Sequence, residues 1–400
     1  MNFKLSMVAT TCILLVVSCR KNDVTHKKDD LNKEYKHIAL LVTDQADKSL
    51  SLIWPSQNKV EQFSAAYANG TPYTTHDGRF AVLVHRTDNF IQTFDLGLEW
   101  HIDHVDWVGT PKFGKLTGTA AQPTHFKSKN GEFLTFNDGD GTLSIGRQED
   151  VHKEGAQMAT LHIGLLKHHG AMASFKNGTY AVTQKDNSIT GTLPERVMVV
   201  NKSGATLHSS TLQTKGIHGN ASDGEYAVFG SASGILVVTA DGTQRLINHP
   251  ADFGTAWFGT ILETANPGQF VGYTAAKGAY LINVKDNSVR PIIENTTIMQ
   301  CKISYDLKML HVLLHDGHLN VYNLSNNTLT TSFKAIDPVE PSASIKPQME
   351  ATQKFAYISQ PAIGELWQVN LHSKKVANRF KLSAKAFRPT ILGYESNQDH

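Results

Sequence analysis

Nineteen histidines in 400 residues are the feature of this sequence most able to do chemistry, and they are unevenly spread. Three short segments carry them at matched positions: Gln122-Pro-Thr-His125, Lys167-His168-His169-Gly170 and Gly216-Ile-His218-Gly219. Each precedes an apolar run, beginning at Glu132, Thr179 and Glu225 respectively. His125 and His218 both stand seven residues ahead of their run, and His168 and His169 eleven and ten ahead. A fourth source is His101-Ile-Asp103-His104-Val-Asp106. Neutral imidazoles converging with a carboxylate are natural ligands for zinc, and three or four of them close a site without cysteine. The expected set is His125, His168 and His218, with His104 or Asp103 in the fourth position and His101 beside them. His169 is the substitute for His168, because adjacent residues on an extended segment point opposite ways. The remaining histidines read as ordinary. His26, His76, His152, His208, His249, His372 and His400 are isolated, and His311, His315 and His318 belong to the packing or turn of one hairpin.

Positioning such a set requires a scaffold that returns the chain repeatedly to one place. Beyond residue 36 the sequence repeats: an alternating or apolar run, a polar turn, then a second apolar run. The eight repeats begin at His37, Arg79, Glu132, Thr179, Glu225, Phe270, Met309 and Lys354, so successive starts are 39 to 53 residues apart. β-branched and aromatic residues fill the runs, and Asp, Asn, Gly or Ser the turns, which reads as a hairpin each time. A period near 45 residues with several short strands per unit marks a propeller blade. The sequence therefore predicts an all-β, eight-bladed β-propeller over residues 37–400, with each repeat supplying strands near the axis. A pair of β-sandwiches fits the near-constant period less well. The longest connection, from Leu98 to Thr124, is expected to be irregular. In this frame the histidine segments enter the channel-lining strands of three consecutive blades, at the channel mouth.

The N-terminus reads differently. Lys4 followed by the apolar stretch Met7 to Val17 is too short to span a bilayer and has the form of an export signal. It ends in Val16-Val17-Ser18-Cys19, which resembles a bacterial lipobox with Cys19 as the lipidated residue. The reading is thus a signal peptide over 1–18 and a charged, flexible tether over 19–36. The protein is expected in the periplasm or at the cell surface, anchored to the outer membrane. Cys12 leaves with the signal and Cys19 carries lipid, so Cys301 remains alone and no intrachain disulfide or cysteine-rich metal site can form. A formal charge of +2 gives no electrostatic case for nucleic acid as a partner, and a monomer is expected.

The same histidine segments carry a resemblance. His168-His-Gly, Leu193-Pro-Glu-Arg-Val-Met-Val-Val200 and Ile217-His-Gly-Asn-Ala-Ser-Asp-Gly-Glu-Tyr-Ala-Val-Phe-Gly230 resemble the periplasmic zinc chaperones of Azt-type zinc ABC importers. So do Pro123-Thr-His-Phe126 and Phe136-Asn-Asp-Gly-Asp-Gly141. The resemblance implies an eight-bladed propeller that binds zinc through histidines and passes it to a solute-binding protein. It places His125, His168, His169 and His218 at family histidine positions. The family's His- and Asp-rich loop is only partly present as His101-Ile-Asp-His104-Val-Asp106. The cysteine pair found around the His218 and Gly230 segments in the family is absent, residues such as Ser231 standing there, and a lipid anchor is a further departure.

Enzyme signatures are poor. Gly109-Thr-Pro-Lys-Phe-Gly-Lys-Leu116 nearly spells a P-loop, but Leu116 stands where magnesium needs a hydroxyl. Asp138-Gly-Asp140-Gly-Thr142 lacks calcium-loop spacing and reads as a hairpin turn. The sequence therefore favours a non-enzymatic zinc carrier whose affinity falls as pH drops through ordinary histidine titration near pH 6–7. Copper would bind more tightly on intrinsic grounds, so zinc is inferred from the resemblance and from availability. A metal-dependent hydrolase or lactonase using the same histidines is the alternative, and an interaction platform with incidental histidines the third reading.

Overall fold

In a computed structural model that describes residues 30–399, the chain from Leu31 onward forms one compact unit. Cys12, Cys19, His26, His400 and the export signal lie outside the described residues. Eight four-stranded antiparallel sheets follow one another, and in all but the first the four strands lie in chain order as a meander. Seven come from consecutive sequence. In the first sheet the innermost strand is the last of the chain, Ala386–Gly393, which pairs with Ile38–Asp44 and closes the ring. The innermost strands of neighbouring sheets touch around the axis. This is the expected eight-bladed propeller. Its core is a series of apolar clusters between adjacent blades, such as Trp54, Phe94 and Leu83 between blades one and two. Alternation feeds both interfaces of a blade: in Met309–Leu314, Leu310 and Val312 face one neighbour and Leu313 the other.

Two details differ from expectation, and between them an expected irregularity takes a definite form. The repeats read from sequence are the second and third strands of each blade, the most apolar because both faces are covered. In every blade but the first the channel-lining strand precedes the repeat, and it can be more polar, as in Pro123–Lys129 and Ile217–Ser222. Next, the irregularity of blade two is an inserted hairpin, Leu98–His101 with His104–Trp107, between the third strand and the outermost strand Lys112–Thr119. Finally, residues 31–36 are not a free tether but pack on blade eight. The buried Glu34 carboxylate accepts hydrogen bonds from Thr352 and Tyr357 at 2.7 and 2.8 Å, and the Leu31 carbonyl accepts one from Asn370 at 2.7 Å. No helix among the described residues is long and apolar enough to cross a membrane.

One buried histidine gives the fold a pH sensitivity of its own. His311 is fully buried in Met309–Leu314, and neither ring nitrogen has a hydrogen-bond partner. Burial pushes its pKa down to about 4. Unfolding exposes it and restores an ordinary value near 6.5, so its neutral form stabilises the fold fully above that pH. That contribution is lost as pH falls from about 6.5 toward 4, amounting to about 3 kcal/mol. In His311→Leu, the stability advantage over wild type should widen steadily between pH 7 and 4.5 in urea titrations. A constant difference across that range would refute the assignment.

Candidate metal site

His125 lies on the innermost strand of blade three, His218 on that of blade five, and His169 just ahead of Met172–Ser174, the innermost strand of blade four. Matched positions on three adjacent blades bring their rings together. Potential ligand atoms of the three fall within 4.8 Å of one another. His125 Nε2 and His169 Nε2 are 3.2 Å apart, within the roughly 3–4 Å expected of two nitrogens sharing a tetrahedral zinc. The His169 and His218 rings stack at 5.2 Å, and all three are half-buried. The position expected of His168 is therefore taken by His169. His168 is turned into the blade, where Nδ1–H donates to the Leu166 carbonyl at 2.7 Å and Nε2 pairs with the Thr183 hydroxyl at 3.0 Å. Both nitrogens are used and only 3% of the residue is exposed, so it packs beside Phe136 and cannot reach the trio.

Outer partners orient the rings. His169 Nδ1–H donates to Asp138 Oδ2 at 2.7 Å, and His218 Nδ1–H donates to the Gly259 carbonyl at 2.7 Å. Both bonds leave Nε2 directed at the common point, the arrangement by which carboxylates and carbonyls fix metal-binding imidazoles. Asp138 is itself held by Thr124 Oγ1–H and Arg86 Nη2–H, each at 2.9 Å. Burial alone would raise its carboxyl, but the hydrogen bond and charge at His169, with Thr124 and Arg86, hold it below the ordinary carboxylate range. Burial, reinforced by His169 and His218, pushes His125 down to about 3, which keeps this imidazole in the neutral form that can bind a metal. Asp138 is the turn residue of the Asp138-Gly-Asp-Gly stretch. Its sequence signal was position alone: the turn after a blade's second strand lies at the end where its innermost strand begins, here through Pro123 pairing with Asn137.

The fourth ligand expected from residues 101–104 is not available to this site. In blade two, Phe80 pairs with Asp95 and His85 with Phe90. Arg86 thus marks the histidine face, and the hairpin following Asp95 leaves from the opposite one, about 20 Å away along a six-residue strand. There His101, His104 and Asp106 form a separate group with ligand atoms within 4.8 Å. Asp106 lies 3.4 Å from both rings. Asp103 instead accepts a hydrogen bond from His104 Nδ1 at 3.0 Å and raises the His104 pKa. One face of the hairpin carries Leu98, Trp100, Val105 and Trp107, of which Leu98 and Val105 are buried while the half-exposed Trp100 and Trp107 touch Tyr394 and Trp54; the other carries His101, His104 and Asp106.

Between the two faces the channel wall carries both charges, Lys129 pairing with Glu263 at 3.1 Å and Lys302 with Glu350 at 2.8 Å. Lys127 and Lys129 follow His125 along the same strand and donate to the Asn220 and Ser222 carbonyls at 2.6 and 3.0 Å. Cys301, the one cysteine among the described residues, is pushed up to about 12 by burial, so no thiolate ligand is on offer. The near-P-loop runs from a loop into the strand Lys112–Thr119, with no helix to cradle phosphate.

The fold is an eight-bladed β-propeller, and three of its histidines, His125, His169 and His218, have potential ligand atoms within 4.8 Å of one another. No protein-family profile matches the chain. It is similar to the zinc chaperone AztD of Citrobacter koseri, 21% identical over 316 residues that cover 76% of this chain and 74% of that protein. A crystal structure of Citrobacter koseri AztD superposes with a TM-score of 0.82 at 18% identity, covering 91% of this chain and all of the other. Its apo form gives 0.80 at 17% identity, over 90% and 99%. Dihydro-heme d1 dehydrogenase NirN is a more distant likeness, with a TM-score of 0.61 at 13% identity, covering 93% and 77%.

Proposed function

We propose that this protein is an extracytoplasmic zinc carrier that captures the ion through His125, His169 and His218 and releases it to a partner protein. The observation carrying this reading is the shared focus of the three imidazoles, two of them fixed from behind by Asp138 and the Gly259 carbonyl. Likeness to a zinc chaperone over three quarters of the chain supports zinc as the ion and carriage as the role. Three neutral nitrogens bind zinc firmly, while the absence of thiolate among them leaves release by ligand exchange open. The partner we favour is the solute-binding protein of a zinc ABC importer. Cys19 is the proposed lipid attachment, holding the protein as a monomer in the periplasm or at the cell surface, on the outer membrane.

The test is zinc titration of the purified chain against a competing chelator at neutral pH. One tightly held equivalent is expected, with a second, weaker one at the hairpin. Changing His101 and His104 together to alanine should remove only the weaker equivalent. Loss of the tight one instead would mean the sites are assigned the wrong way round.

A second reading has one observation in its favour. Three histidines with an open fourth position also describe catalytic zinc, where bound water becomes a nucleophile. Asp138, the buried carboxylate nearest the trio, is already committed to His169, Thr124 and Arg86, which leaves it poorly placed as a general base. Zinc-dependent turnover of ester, lactone or phosphate substrates, abolished in His218→Ala, would establish the hydrolase instead.

A further inference from the structure

Asp138 Oδ2 receives three donors at once: His169 Nδ1–H at 2.7 Å, Thr124 Oγ1–H at 2.9 Å and Arg86 Nη2–H at 2.9 Å. Its Oδ1 takes the Gly170 N–H at 3.3 Å. A carboxylate behind a metal-binding imidazole makes that ring a stronger ligand by drawing on its N–H. A guanidinium on the same oxygen competes for the same electron density. Arg86 comes from the second-to-third-strand turn of blade two. Its one ion pair among the described residues is with Asp138, whose side chain is 6% exposed against 44% for Arg86. The carboxylate is sealed in, while the cation stands at the mouth.

We infer that Arg86 is a tuning residue: acting through Asp138, it holds the zinc affinity of the histidine trio below what the same ligands would otherwise reach. This rests on the trio being the zinc site. A carrier must let its ion go, and a cation on the supporting carboxylate weakens the ligand without removing it. The arrangement also separates two roles. Asp138 orients His169, and Arg86 limits how far that support raises affinity.

The experiment is chelator competition and stopped-flow zinc release with the full chain, comparing wild type, Arg86→Gln, Arg86→Lys, Asp138→Asn and the Arg86→Gln/Asp138→Asn pair. Arg86→Gln should bind zinc roughly two- to fivefold more tightly, the scale of a half-exposed ion pair, and release it correspondingly more slowly. Arg86→Lys should stay near wild type. Asp138→Asn should weaken binding roughly 10–100-fold, and in that background Arg86→Gln should have no further effect, as for residues acting through one another. Unchanged thermal midpoints for the two Arg86 variants would show that affinity, not folding, has moved. The inference is overturned if Arg86→Gln binds zinc equally or less tightly, or if its gain persists in the Asp138→Asn background. If His169→Ala and His218→Ala leave zinc binding intact, the trio itself is wrong and this inference falls with it. If they abolish binding while Arg86→Gln does nothing, only the tuning role fails.

Discussion

Replacing His169 with alanine should abolish tight zinc binding, and replacing its immediate neighbour His168 should not. His169 Nε2 faces His125 Nε2 at 3.2 Å, so its loss removes one of three ligands and leaves Asp138 with an unused acceptor. The fall in affinity should exceed the roughly 10–100-fold that loss of an outer partner alone costs. His125→Ala and His218→Ala should match it, since among the described residues no fourth ligand joins the trio to compensate. His168→Ala should instead show its effect in stability. It removes one hydrogen bond from the Leu166 carbonyl and one from the buried Thr183 hydroxyl, which keeps its bonds to the Ala171 backbone, at a cost of about 2 kcal/mol. The pair of measurements is a direct test, because both residues lie in one dipeptide and any general disturbance of that loop would affect them alike. Equal loss of zinc affinity in both variants would refute the site as drawn.

That dipeptide also marks how far the sequence could be read. The eight-fold repeat was visible because each blade buries two strands on both faces, which forces two apolar runs and a turn per unit. The innermost strands were less visible. Facing a polar channel, they carry Lys127, Lys129 and Asn220 rather than an apolar pattern, so histidines lying on them read as loop residues. Matched spacing still pointed to three blades whose imidazoles the fold brings together. It could not choose between His168 and His169, because alternation fixes that neighbours point apart but not which one points inward. The fourth ligand was misplaced for a topological reason: residues 101–104 enter after the third strand of blade two, and every third strand ends on the face away from the mouth. Asp138 reads in the sequence only as a hairpin turn and Arg86 carries no signal at all, because turn residues of this type are abundant and only the packing of blade two on blade three sets these two side by side. The binding-side carbonyl of Gly259 has no side chain to advertise it at all.

Gly230→Ala should damage both the fold and the zinc site, although Gly230 touches neither metal ligand atom nor solvent. It sits in the strand Tyr226–Ser231 of blade five, where a Cβ would fall 1.9 Å from the Phe258 carbonyl oxygen and 3.1 Å from that of His218. The first of these is backbone and must move. Phe258 resists, since its fully buried ring packs on Phe253 and Tyr280 with centroids 5.1 and 5.5 Å away. Overpacking of this kind costs about 3 kcal/mol, measurable as a lowered urea midpoint. The segment that must shift leads directly into Gly259, whose carbonyl holds His218 Nδ1–H at 2.7 Å. Displacing it frees the imidazole to rotate, so the folded fraction of the variant should bind zinc roughly 10–100-fold more weakly, as for loss of an outer partner. Gly259→Ala is the control. A Cβ there meets nothing within 4 Å, so both stability and affinity should stay near wild type. A Gly230→Ala protein that unfolds early but binds zinc normally would show that His218 is oriented by something other than the Gly259 carbonyl. One that is unchanged in both respects would show that blades five and six do not meet as closely as this packing requires.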